Sequence, residues 1–213
     1  MAWSHVGYGG PASNHANIET VSLNGNNSRV YAGQMNWTLA NTDNLITYCI
    51  ELAQDVGNGG DFTEFAHTDD SYDALRTDIT FDITTAVTLS AFWDLNHSNV
   101  VDNDTASAFQ LGIWDIVYDN DKNLQTGAFK AASSTASIIA DTWLSNTALL
   151  DLSELIAQEK AIPALTIYHN ASLQDQIGPG PEGDIITVVP APAAAGAGLI
   201  AMVGLVGRRR RSH

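Results

Sequence analysis

Along residues 31–39 apolar or small residues alternate with polar ones. Tyr31, Gly33, Met35, Trp37 and Leu39 share one face, with Gln34, Asn36 and Thr38 on the other, a period of two that predicts a strand. The alternation resumes over Leu45–Leu52, where Ile46, Tyr48, Ile50 and Leu52 face one way and Leu45, Thr47, Cys49 and Glu51 the other. Asn41-Thr42-Asp43-Asn44 between the two runs has the side chains of a turn, so the pair reads as a hairpin. Asn24-Gly25-Asn26-Asn27 and Gly57-Asn58-Gly59-Gly60 are further turns.

The period then changes to that of a helix. Leu89, Phe92, Trp93 and Asn96 recur at helical spacing within Thr85–Asn96. Asp104 and Thr105 can cap a second helix running to about Tyr118, with Ala106, Phe109, Gln110, Ile113 and Val117 along one stripe. Ser134–Ala148 repeats the pattern with Ala136, Ile139, Ala140 and Trp143. Strand character returns after Pro163 over Ala164–Tyr168, and Gly178-Pro179-Gly180-Pro181-Glu182-Gly183 reads as a linker. The expectation is an α+β chain: a mostly β, barrel- or sandwich-like domain with an inserted helical subdomain over residues 1–177. A Gly/Pro-rich linker over 178–192 and a C-terminal hydrophobic helix within 193–213 follow.

Composition and charge narrow the function. Of 213 residues 45% are hydrophobic, which supports a real core and excludes wholesale disorder. The net charge is −15, and Arg208, Arg209, Arg210 and Arg211 are four of the nine basic residues. Without them 24 acidic residues face five basic ones, a net of −19 over Met1–Gly207. Such a body repels phosphate backbones, so no nucleic-acid partner is expected. Cys49 is the single cysteine, which excludes an intramolecular disulfide and a multi-cysteine zinc site. The six histidines show no HxxxH or HExxH spacing. Neither a metal nor a cofactor is expected, and no nucleophile–His–carboxylate set supports a hydrolase.

The tail differs from the body. Val189-Pro190-Ala191-Pro192 precedes Ala193–Gly207, fifteen uncharged and mostly apolar residues, and then the anchor cluster Arg208, Arg209, Arg210 and Arg211. Positive charge beyond an apolar segment is what membrane topology places on the cytoplasmic side. Pro190-x-Pro192, the apolar stretch and the terminal arginines together resemble the PEP-CTERM sorting signals of Gram-negative-type bacteria, with alanine in place of the usual glutamate between the prolines. The resemblance implies export, retention in the envelope membrane and an exosortase-like processing enzyme. An exported chain needs a leader. Met1–Gly10 carries neither a basic nor an apolar region of that kind, so the signal peptide is expected upstream of Met1.

Two segments stand out together: Tyr48-Cys49-Ile50-Glu51-Leu52 and Phe109-Gln110-Leu111-Gly112-Ile113-Trp114. They resemble the two halves of the thioester domains of bacterial surface adhesins, in which an aromatic-Cys-aliphatic strand faces an apolar-Gln-x-x-aliphatic segment opening a helix. The family's frequent Thr-Gln-x-Ala-Ile-Trp keeps Gln110, Ile113 and Trp114 here, while Thr and Ala are replaced by Phe109 and Gly112. The resemblance spans residues 30–170 and implies an internal thioester between Cys49 and Gln110, supported by Tyr48, Glu51 and Trp114. An amine-bearing surface ligand would attack the acyl carbon, with Cys49 leaving: a single-turnover acylation, not enzymatic turnover.

The residues themselves allow two readings. Gln110 lies on the buried stripe, where an unpartnered carboxamide costs roughly 2–7 kcal/mol, and condensation with a thiol removes that demand. Equally, a lone cysteine on an apolar strand can be an inert core residue in a non-covalent structural or matrix protein. Glu51 shares the strand face of Cys49 and can take the thiol proton, or can be a solvated carboxylate at the strand edge. Trp93 and Trp114 sit at core spacing. Asp94-Leu95-Asn96-His97-Ser98-Asn99 with Asp102, Asn103 and Asp104 places oxygen ligands at alternate positions. It lacks the turn glycine and has Thr105 where a calcium loop carries its bidentate glutamate, so it reads as a solvated loop. Asp69, Asp70, Asp73 and Asp78 read the same way.

Overall fold

A computed structural model describes residues 2–8, 16–39, 44–57, 59–66, 72, 75, 81–157, 161–163, 165–179 and 185–187. The expected anchor residues Pro190, Pro192, Arg208, Arg209, Arg210 and Arg211 lie outside them, as does the helix expected within 193–213. Asp69, Asp70, Asp73 and Asp78 lie outside them too. The strands are β1 (Ala2–Tyr8), β2 (Ala16–Leu23), β3 (Asn26–Gly33), β4 (Met35–Leu39), β5 (Asn44–Cys49), β6 (Gly59–Asp61), β7 (Thr63–Ala66), β8 (Phe129–Ala131), β9 (Ala161–Pro163), β10 (Leu165–Asn170), β11 (Leu173–Pro179) and β12 (Ile185–Thr187). The helices are α1 (Ile83–Asn96), α2 (Asn103–Tyr118), α3 (Thr135–Ala148) and α4 (Leu152–Ala157).

A seven-stranded antiparallel sheet has the order β6-β1-β4-β5-β11-β10-β7. A second antiparallel sheet has the order β3-β2-β8, and β12 and β9 form a two-stranded ribbon. The helical segment is inserted between β7 and the strands that complete the large sheet, as expected. The barrel is not: no closed barrel forms among the described residues. β6 and β7 lie at opposite ends of the strand order yet are separated only by Phe62, so the sheet curls until both edges meet one segment. Closure stops there because β6 pairs with β1 and β7 with β10, but not with each other. Phe62 is buried and packs edge-on against Trp37, with ring centroids 5.6 Å apart.

The alternation over 31–39 is one run in sequence but two strands in space. β3 belongs to the small sheet and β4 to the large one, with the break at Gln34. Gly33 absorbs the change of direction at φ 148°, a conformation that a side chain disfavours. The β4–β5 hairpin forms with Met35 opposite Thr47, but β5 ends at Cys49 rather than Leu52. Asn24 (φ 52°) and Gly25 (φ 82°) make the tight turn of the β2–β3 hairpin. Gly59 and Gly60, expected in a turn, belong to β6. Gly178 and Pro179, expected to open the linker, end β11, and Ile185–Thr187 within the same stretch forms β12.

The helices begin where local side chains satisfy their free N–H groups. Asp82 caps α1 by accepting from the Thr85 N–H. Asp102, rather than the expected Asp104, forms a reciprocal capping box with Thr105 on α2, and Ser134 with Ser137 repeats it on α3. Asp104 accepts from the Asn17 amide at 2.6 Å. Helix α2 packs across β2, β3 and β8 and against α1 and α3. Tyr48 docks this layer onto the large sheet, its ring 4.8 Å from Phe109 and 5.7 Å from Trp93. Gly112 leaves room for the ring of Phe92, which would come within 2.3 Å of a Cβ at that position, so α1 and α2 meet there too closely for alanine. No described helix is long and apolar enough to cross a membrane.

Candidate functional site

Cys49 is the last residue of β5, and among the described residues it has a strand partner on one side only. On that side Cys49 stands opposite Gln176 of β11. The Ile50 N–H donates to the Asp175 carbonyl at 2.9 Å, which makes Cys49/Gln176 a pair whose main-chain groups point away from each other. Such pairs bring their side chains closest together. On the other side β4 begins at Met35, opposite Thr47, so no described strand partners Cys49 there.

Helix α2 replaces the missing strand. The Cys49 N–H donates to Gln110 Oε1 at 2.8 Å, and Gln110 Nε2 donates to the Cys49 carbonyl at 2.7 Å. Gln110 is fully buried, and its carboxamide acts as one peptide unit of a strand. Two turns further along, the Leu52 N–H donates to Tyr118 Oη at 2.7 Å. The structure thus brings Cys49 and Gln110 together, as the resemblance implies, but through the main chain of Cys49.

The carboxamide facing the sulfur belongs to Gln176. Cys49 Sγ lies 3.5 Å from Gln176 Nε2 and 3.9 Å from Oε1, so the carbonyl carbon between those atoms is also within reach. The Thr47 hydroxyl donates to Gln176 Oε1 at 3.0 Å and itself accepts from Trp37 Nε1 at 2.9 Å. Gln176 Nε2 also donates to the Gln174 carbonyl at 3.2 Å. Trp37, Thr47, Gln176 and Cys49 are all buried. A chain of donors therefore ends on the carbonyl oxygen, where it polarises the group. Burial pushes the Cys49 thiol up to about 12, with the Gln176 contact lowering it and the Glu51 charge adding to the rise.

Glu51 is fully buried, which removes the reading of a solvated edge carboxylate. Its Oε1 accepts the Asp175 N–H at 3.0 Å, and its carbonyl accepts from Gln174 Nε2. Asp175 faces the other side of β11. Its carboxylate accepts from the Tyr72 hydroxyl at 2.9 Å and the Asn170 N–H at 2.9 Å, and meets His169 Nδ1 at 2.9 Å. Tyr48 and Trp114 are core residues, the latter 6.0 Å from the Phe129 ring. Trp114 also lines a cleft with Arg29, Leu52, Gln54 and Gln174, two residues along the strand face from Gln176.

Sequence patterning does not single out Gln174, Asp175 or Gln176. Leu173-Gln174-Asp175-Gln176 looks like surface, and only Ile177 and the Asn170-Ala171-Ser172 turn hint at a returning strand.

No family model matches the sequence, and no curated protein does. In three dimensions the chain is similar to the N-terminal domain of the Streptococcus pyogenes pilus tip adhesin Cpa. The TM-score is 0.50 at 12% identity, over 89% of this chain and 93% of that one. At this identity the likeness is one of fold.

Proposed function

We propose that this is an exported surface protein that attaches covalently to amine-bearing partners through an internal thioester between Cys49 and Gln176. The observation that carries the reading is the Cys49 sulfur against the Gln176 carboxamide in a dry, close pair whose carbonyl oxygen already accepts a hydrogen bond from the Thr47 hydroxyl. The likeness to a pilus tip adhesin domain agrees with a surface role. Gln110 becomes the residue that holds the Cys49 main chain in place, and Gln176 takes the acyl role that the resemblance gives to Gln110.

The chemistry is a transamidation in two halves. Sulfur attacks the Gln176 carbonyl carbon, the C–N bond breaks, and the thiol proton leaves with the nitrogen as ammonia. Thr47, held by Trp37, stabilises the charge that develops on Oε1. A thiol held near 12 has almost no thiolate at neutral pH, so the proton must move during attack, taken up by the buried Glu51 and handed on to the departing nitrogen. In the second half an amine entering by the cleft beside Gln174 forms an amide with Gln176 and returns the thiol.

Intact-mass measurement tests this. The folded protein should weigh about 17 Da less than its sequence mass, and methylamine should then add about 31 Da and release one thiol. Peptide mapping should find the methylamide on Gln176. A methylamide on Gln110 would reverse the assignment. An unmodified mass with an alkylatable Cys49 after unfolding would leave a non-covalent structural protein with a free core thiol.

Envelope attachment through residues 188–213, with processing by an exosortase-like enzyme, completes the proposal. Deleting Val188–His213 from the full-length protein with its leader should release the body to the medium. If the truncated protein fractionates with the envelope as before, the sorting role is wrong.

A further inference from the structure

Helix α2 ends in an acidic knot that the thioester chemistry does not use. Asp115 lies in its last turn, Asp119 caps it and Asp121 follows in the loop. One carboxylate oxygen from each lies within 4.8 Å of the others. Asp115 is fully buried. Its Oδ2 accepts the Lys122 N–H at 3.0 Å, whereas no donor among the described residues reaches its Oδ1. Asp119 repeats the arrangement: Oδ2 accepts the Phe129 N–H at 2.7 Å, and buried Oδ1 has no donor among the described residues. Asp121 is held by the Asn123 N–H at 3.0 Å and the Thr126 hydroxyl at 2.6 Å.

The knot is not balanced by positive charge. The Lys122 ammonium turns away to the Asn120 carbonyl and side chain, at 3.1 and 2.9 Å. Among the described residues no lysine, arginine or histidine forms an ion pair with the three carboxylates. They also sit at the negative end of the α2 dipole, where a cation is favoured and an anion is not. Burial first, then the charges of Asp119 and Asp121, push the Asp115 carboxyl up to about 8. The loop is nevertheless shaped to bring the carboxylates inward. Asn120 and Lys122, on either side of Asp121, take positive φ values of 51° and 62°. Gly127, at φ 71°, leaves open the space that Asp119 Oδ2 and Asp121 Oδ2 fill: a Cβ there would lie 2.1 and 2.8 Å from those atoms.

We propose that Asp115, Asp119 and Asp121 form a binding site for a hard divalent cation, calcium. Oxygens bound to one calcium ion at about 2.4 Å lie no more than about 4.8 Å apart, and these three oxygens all lie within 4.8 Å of one another. Three carboxylates with two orphan oxygens suit an all-oxygen site, and the set lacks the nitrogen and sulfur ligands that select transition metals. The cation would join the end of α2 to the loop leading into β8, and so fix the helix that carries Gln110. The site is independent of the thioester and can fail or hold without it.

Calorimetric titration of the full chain with calcium chloride, after EDTA treatment, tests the site. The expected result is saturable binding at or below millimolar calcium and a melting temperature raised by several degrees. Asp115→Asn with Asp119→Asn should abolish both and raise the melting temperature in EDTA, because the amides keep the shape and remove the repulsion. Asp121→Asn, at an exposed position and so without a folding problem, should weaken binding at least tenfold. Asp94→Ala should leave binding unchanged. No saturable heat up to millimolar calcium would overturn the proposal, with Asp115 then held as a neutral acid. An unaltered response in the Asp121→Asn variant would overturn it too, as would a response to magnesium alone.

Discussion

Replacing Gln110 by alanine is expected to destabilise the fold by about 2–4 kcal/mol, although Gln110 is not the acyl residue of the proposed thioester. Its carboxamide meets both main-chain groups of Cys49, and no described strand stands by to replace it. Each orphaned group costs about 1–3 kcal/mol, and the vacated side-chain volume adds a cavity term. The measurement belongs in a Cys49→Ala background, where no covalent bond contributes. Urea unfolding of Cys49→Ala against Cys49→Ala/Gln110→Ala then reads the main-chain support alone. A difference below about 0.5 kcal/mol, the range of ordinary surface substitutions, would mean that water serves Cys49 as well as Gln110 does. In the otherwise native chain, Gln110→Ala should slow ammonia loss without abolishing it, whereas Gln176→Ala should abolish it.

Asp175→Ala should cost about 3–5 kcal/mol, the range for stranding the partners of a buried charge. The carboxylate collects the Tyr72 hydroxyl, the Asn170 N–H and His169 Nδ1 around one buried point. Side chains alternate along a strand, so Asp175 points away from Gln174 and Gln176 and from the sulfur. Molecules of the variant that still fold should therefore retain the mass deficit, while the urea midpoint falls sharply. A folded variant of normal stability would show that the Tyr72 and His169 contacts are dispensable. Loss of the mass deficit with stability intact would show that Asp175 acts in the chemistry. Asp175→Asn should cost less, since one acceptor oxygen remains.

These two residues mark where reading the sequence succeeds and where it stops. Gln110 is visible because it lies on a helical stripe with Ala106, Ile113 and Val117, where a buried carboxamide needs a partner. That partner is the cysteine paired with it in the resemblance, 61 positions away. The atom contacted is not legible. Whether Gln110 meets sulfur or main chain depends on where β4 starts, and hence on the break at Gly33 and Gln34 that an unbroken alternation conceals. Asp175 and Gln176 are hidden for the opposite reason: charged and amide residues in a row read as surface unless their partners are known.

What the sequence determined by itself is local. The three long helices follow from side chains within one turn of each start, Asp82 to Thr85, Asp102 to Thr105 and Ser134 to Ser137, and from an apolar repeat that needs no distant partner. Strand character at β4 and β5 and the turn at Asn24-Gly25 are local in the same sense. The tertiary structure decided which side chains share a dry space. Cys49 meets Gln176 across 127 residues because β5 and β11 pair in one particular register, and a slip of one residue would turn Gln176 to the other face. The acidic end of α2 depends likewise on Gly127 folding back over Asp119 and Asp121. Register and chain return are set by the summed burial of the whole core, a quantity that no window of sequence contains.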